Sequence, residues 1–108
     1  MAKGSKPEER RFQMRQYELI FIVQPDLDEE TTQGIVDRVN SLITDNGGKV
    51  LKTDLWGTKS LAYEIQNFRD GYYVFMEVEM EPEYGSQLTQ TLRYIEPIIR
   101  HIIVKKDD

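Results

Sequence analysis

Four extended runs and two amphipathic helical stretches, in the order strand, helix, strand, strand, helix, strand, predict an α+β fold for this chain. Two further observations sharpen that class. The second half of the chain repeats the strand–helix–strand order of the first, and the run "YYVFMEVEM" alternates between an apolar and a mixed face. Such a split pair of units is the ferredoxin-like βαββαβ plan, a sandwich in which two helices cover one face of a four-stranded antiparallel sheet and leave the other face open.

Each element has its own signal. "YELIFIV", from Tyr17, is nearly all apolar, β-branched or aromatic, as a central strand would be, and Pro25 stops it. Asp28 is a good N-cap for the first helix, with Glu29 and Glu30 at the positive end of its dipole. Ile35, Val36, Val39, Leu42 and Ile43 form its apolar stripe, and Gly47 and Gly48 end it. "KVLKTDLWGTKSLAYEI" reads as a long extended segment in which Gly57 marks a bulge or bend. "QNFRDG" reads as a turn before "YYVFMEVEM". In that strand Val74, Met76, Val78 and Met80 share one face, and Tyr73, Phe75, Glu77 and Glu79 share the other. Pro82 suits the first turn of a second helix with the stripe Tyr84, Leu88, Leu92 and Ile95, and Pro97 blocks its continuation. "IIRHIIVK" is the last strand.

The bulk numbers narrow the function. A chain of 108 residues with 39% hydrophobic and 31% charged content makes one domain with a real core. Residues 1–13 lack an apolar period and are expected to form a flexible extension ahead of a domain spanning 14–108. The absence of cysteine excludes a disulfide framework, a thiolate metal site and a cysteine nucleophile. No apolar run is long enough to cross a bilayer, and the N-terminal residues lack a secretory pattern, so a cytoplasmic location is expected. The net charge of −5 argues against a general DNA or membrane binder. Residues 1–16 hold five basic against two acidic side chains, a net +3, so the remainder carries −8. An acidic body of this kind attracts a basic protein and can meet nucleic acid through a local basic edge.

No constellation for catalysis is present. His101 is the single histidine and lies in an apolar strand, which suits a packed, hydrogen-bonded residue better than a base. The acidic clusters lack metal-ligand spacing, and Gly47–Gly48 lacks a phosphate-loop lysine, so no cofactor or metal is expected. "RDGYYVFMEVEM" resembles an RNA-stacking strand only in part. Aligned on Gly71, the basic first position is Asp70, the small position is Tyr73 and the last aromatic position is Glu77. Glu77 and Glu79 would repel the phosphates of a stacked strand, so Tyr73 and Phe75 are expected to meet a protein partner. Single cations are scattered near strand ends: Arg15, Lys52, Lys59, Arg69, Arg93 and Arg100. In the ferredoxin-like plan the first and last strands are neighbours, which could bring Arg15, Arg93 and Arg100 together.

The ordered set "MRQYELIFIVQPDL", "WGTKSLAYEI", "GYYVFMEVEM" and "LRYIEPIIRHIIVK" resembles the bacterial small-subunit ribosomal protein S6 family, over Met14 to Lys105. That resemblance implies a non-catalytic structural protein of the small ribosomal subunit in the cytoplasm. It also implies binding to small-subunit ribosomal RNA, in the central domain, as a heterodimer with small-subunit ribosomal protein eighteen, a basic partner. By position it implies RNA contact from Arg15, Tyr17, Arg93, Arg100 and Lys105, with Lys59 in second rank. Thr58 stands where the family has a basic residue and Glu64 where it has proline, and the C-terminal tail is short.

Two other classes remain on the residues alone. An acylphosphatase-type enzyme would need an arginine and an asparagine in a phosphate-cradling loop, where this chain has Pro25-Asp26-Leu27-Asp28. A self-associating ligand-sensing domain would need a stable homodimer and a small-molecule pocket; neither is legible, and no small-molecule substrate is expected.

Overall fold

A computed structural model of the protein describes residues 14–106. The expected extension, residues 1–13, and the last two residues of the polar end lie outside the described residues. The elements are β1 (Arg15–Val23), α1 (Glu29–Asp45), β2 (Lys49–Ile65), β3 (Phe68–Met80), α2 (Pro82–Arg93) and β4 (Ile98–Lys105). The strands form one sheet in the order β2-β3-β1-β4, with β1 pairing antiparallel to both β3 and β4. This is the ferredoxin-like arrangement, with β1 and β3 central.

Parity along the strands decides what is buried. Leu19, Phe21, Val23, Val74, Met76, Val78 and Met80 lie on the covered face, each at 0–1% exposure. They pack against the stripes of both helices: Ile35, Val36, Val39 and Ile43 from α1, and Tyr84, Leu88 and Leu92 from α2. Burying each large aliphatic or aromatic side chain contributes roughly 1.5–3 kcal/mol, so this layer supplies most of the drive to fold.

The helix ends are closed by specific bonds. The Thr31 N–H donates to Asp28 Oδ1 at 2.8 Å, which satisfies one free donor of α1. Hydrogen bonding from the Thr31 side chain, and then from its N–H, holds the Asp28 carboxyl below its ordinary pKa. At the other end, Gly47 N–H donates to Thr44 O and Gly48 N–H to Ile43 O, with Gly47 at φ +87°. These paired bonds are a Schellman motif, and the positive φ explains the glycine. Tyr84 joins the two helices: its hydroxyl donates to Leu42 O at 2.8 Å and accepts from Asn46 Nδ2 at 3.1 Å.

Three boundaries differ from the sequence reading. β1 begins at Arg15, ahead of Tyr17, because Arg15 and Gln16 pair with Met80 and Glu79. The turn between β2 and β3 is Gln66–Asn67 alone, both at positive φ, and Ile65 pairs with Phe68. Two consecutive left-handed residues match the twist of a tight hairpin, so Phe68 to Gly71 can remain in the strand. Helix α2 ends at Arg93, yet Ile95 is buried at 2% because its N–H still bonds Leu92 O and turns the chain inward.

Gly57 and Gly71 serve different ends. Gly57 has φ +86° at a register shift in the β2–β3 ladder, with open space where a Cβ would go. Gly71 is buried, and a Cβ on it would lie 2.2 Å from Ile22 Cγ2. We predict that Gly57→Val lowers stability through backbone strain, by roughly 1–3 kcal/mol. Gly71→Ala should lower it through a clash, by roughly 1–3 kcal/mol. Gly85→Ala in α2, where nothing lies within 4 Å of the added Cβ, should instead raise stability by roughly 0.5–1 kcal/mol. Urea melts of the three variants check all three signs.

Candidate RNA and protein surfaces

The face of the sheet away from the helices is built by the opposite parity. It carries Glu18, Ile20 and Ile22 from β1, Tyr73, Phe75, Glu77 and Glu79 from β3, and Arg100, Ile102 and Val104 from β4. β2 adds Trp56, whose ring stacks on Phe75 at 5.4 Å with planes 4° apart. Lys59 Nζ sits 5.0 Å over the same indole. Tyr73 and Phe75, expected to face a partner, are therefore on the open face and half-buried among its aromatics.

This face has two halves of different chemistry. Toward the start of β1 it is charged: Glu18, Glu77 and Glu79 lie there, and in β2 Lys52 pairs with Glu77 and Lys49 with Glu79. Glu18 stands directly opposite Glu77, and Gln16 opposite Glu79. Like charges facing each other across a strand pair are unfavourable, by a few tenths of a kcal/mol to about 1 kcal/mol. Lys106 Nζ reaches Glu77 at 3.5 Å and relieves part of it. Toward the end of β1 the face is apolar. Ile20, Ile22, Trp56, Leu61, Tyr73 and Ile102 line a groove of about 260 Å³. Trp56, Ile102 and Val104 remain 43–50% exposed.

The groove's far wall is the end of the β2–β3 hairpin. Leu61, Tyr63 and Ile65 line it together with Arg100 and Ile102 of the opposite edge strand. The hairpin arm thus curls over the sheet, past Gly71, where Ile22 and Leu61 close in on the missing Cβ.

The basic residues do not form one cluster. Arg15 opens β1, while Arg100 pairs with Ile22, seven residues further along. That offset separates them by about 23 Å along the strand. They also project to opposite faces by parity. The expectation that Arg15, Arg93 and Arg100 meet is therefore corrected by the register. The grouping instead favours the helix side. Tyr17 pairs with Lys105 at the start of β1, and Lys106 N–H bonds Gln16 O, so Arg15 and Lys105 share that end. Tyr17 itself packs against the core and is only partly exposed. Arg93 ends α2 and faces His101 of β4. Lys59 stays on the open face over Trp56.

Sequence reasoning missed Trp56, Tyr63, Ile102 and Val104 as surface residues. β4 has aliphatic residues on both sides, so its parity cannot be read without the register to β1. Tyr63 could have been found only from the bend at Gly57 and Gly71.

Among the described residues no group of His, Asp and Glu is placed to hold a metal ion, and no helix is long and apolar enough to cross a membrane. The cleft at the start of α1 is lined by Asp28, Glu29 and Glu30. Those carboxylates oppose the phosphate cradle that an acylphosphatase-type enzyme would need there.

Comparisons with known proteins agree with this geometry. The sequence profile of the family described as ribosomal protein S6 matches residues 16–105. A small ribosomal subunit protein bS6 from Moorella thermoacetica is 39% identical over 95 residues, covering 88% of this chain and 97% of the relative. Its counterpart from Carboxydothermus hydrogenoformans is 40% identical over 94 residues, covering 87% and 98%. The crystal structure of 30S ribosomal protein S6 from Thermotoga maritima superposes with a TM-score of 0.82 at 30% identity, covering 86% of this chain and 88% of that one.

Burial, and then the charge of Arg93, lower the pKa of His101. The folded chain therefore prefers neutral imidazole, while the unfolded chain protonates near its ordinary value of about 6.5. We predict that stability is highest above that value and declines as pH falls through it, levelling off below the folded-state pKa. His101→Gln should remove this part of the pH dependence, as urea melts between pH 5 and 8 would show.

Proposed function

As the chain belongs to the ribosomal protein S6 family of the small ribosomal subunit, we propose that it supports translation by assembly and not by catalysis, binding central-domain ribosomal RNA as a heterodimer with small-subunit ribosomal protein eighteen. Its place is then the small ribosomal subunit in the cytoplasm.

The observation that carries this reading is the two-part open face. A basic protein laid on it would bring cations to Glu18, Glu77 and Glu79 and cover the apolar half around Trp56, Tyr73, Phe75 and Ile102. Removing that apolar area from water gives about 25 cal/mol per Å². Relief of the Glu18–Glu77 repulsion adds to it. The acidic chain alone repels phosphate at long range, whereas the pair with a basic partner does not. Arg15, Lys105 and Arg93, with the partly exposed Tyr17, then supply local contacts on the helix side, the cations as charge-assisted hydrogen bonds to phosphate or sugar. Lys59 and Arg100 belong to the open face and are nearer the protein partner than the RNA.

The test is a titration of purified RNA with free chain and with heterodimer at several salt concentrations. We predict weak binding by the free chain and tight binding by the pair. Arg93→Ala should reduce the salt slope by about one, the value of one phosphate contact, and leave partner affinity unchanged. Phe75→Ala should weaken heterodimer formation by about 1–2 kcal/mol and affect RNA only through it. Tight RNA binding by the free chain, abolished by Tyr73→Ala or Phe75→Ala, would overturn the reading in favour of base stacking on the sheet.

A further inference from the structure

Arg100 is engaged within the chain. Its Nη1 donates to the hydroxyl of Tyr63, and its guanidinium carbon lies 5.8 Å from the centre of the Tyr63 ring. The partners come from opposite edges of the sheet. Tyr63 is in β2 and Arg100 in β4, with β3 and β1 between them. Three strand spacings amount to about 14 Å in a flat sheet, which neither side chain spans, so the hairpin arm must fold over the face for the contact to exist. The backbone is adapted to that fold. The β2–β3 register breaks at Gly57 and again between Ser60 and Ile65, which brackets Tyr63. Gly71, lacking a side chain, lets Ile22 and Leu61 approach where the arm crosses β1.

We infer that Tyr63 and Arg100 form a latch that holds the hairpin arm over the open face, and that Arg100 is a positioning residue for the groove, not a phosphate ligand. The latch combines a hydrogen bond with stacking of a planar cation on a phenol ring. Arginine meets both demands and lysine only the charge. With the latch shut, the arm and β4 stand as two walls of the apolar groove whose floor is Ile20, Ile22 and Ile102. With it open, Leu61 and Ile65 lose their fixed place and the groove loses a wall. The latch itself is a property of the free chain. Only its consequence for the protein partner rests on the function proposed above.

The test uses the full chain and three variants: Tyr63→Phe, Arg100→Lys and both together. Hydrogen exchange is followed at the arm amides, residues 58–71, against those of β1. Each single change should speed arm exchange about three- to tenfold, with β1 unmoved, since one exposed polar contact is lost and the core is untouched. The double variant should fall short of the product of the two single effects, because both changes act on the same contact. Emission from Trp56, the chain's single tryptophan, should shift in the same variants. With the heterodimer, Tyr63→Phe should weaken partner binding several-fold, and Arg100→Ala should leave the RNA salt slope unchanged. Arm exchange identical to the unsubstituted chain in both single variants would overturn the latch. So would a salt slope reduced by about one in Arg100→Ala but not in Tyr63→Phe. If the unsubstituted chain forms no heterodimer, the proposed function fails, and the arm exchange of the free chain still decides the latch.

Discussion

Two helices can cover only one face of a four-stranded sheet, and most of what distinguishes this protein follows from that limit. The covered face from Leu19 to Val23 of β1 and from Val74 to Met80 of β3 is fully apolar and close to zero exposure. The strands cannot be apolar on one side and indifferent on the other, because every second residue projects outward. Each outward position is thus available to water or to another molecule, and its chemistry is set independently of the core.

On this chain the outward positions follow two rules at once. Near the start of β1 they are charged, with Glu18 and Glu77 face to face and Lys49 and Lys52 of β2 beside Glu79 and Glu77. Near its end they are aliphatic and aromatic, and Trp56 on Phe75 forms a parallel stack that is still partly wet. Neither arrangement is the best one for an isolated domain. Repulsion across the strands and exposed apolar area both work against stability. Both would be eased by one event, the approach of a cationic protein with an apolar patch, as the proposed function requires. The same reasoning explains why Tyr73 and Phe75 do not make a convincing base-stacking platform: the carboxylates share their face.

The hairpin arm shows how small backbone features reshape that surface. One left-handed glycine, one glycine without room for a methyl group and a two-residue turn allow a long edge strand to curl across its own sheet. A flat β2 would have left Arg100 without its Tyr63 contact and the groove without one wall. Curling gives a surface cation a partner within its own chain, the Tyr63 hydroxyl.

What the sequence determined by itself is what depends on local chemistry and period. The helical stripes, the caps at Asp28 and Gly47–Gly48, the alternation of Val74 to Met80 and the family motifs can each be recognised within a short window. These sufficed for the element order, the fold class and the split of β3 into a covered and an open face. The tertiary structure alone decided what depends on register between distant strands. It separated Arg15 from Arg100, gave Ile102 and Val104 an outward parity that a strand with aliphatic residues on both sides conceals, and carried Tyr63 to β4. The physical reason is that period fixes which residues of one strand share a face. Which residues of two strands stand together depends on pairing, bulges and bends, and those are settled only when the whole sheet closes over its core.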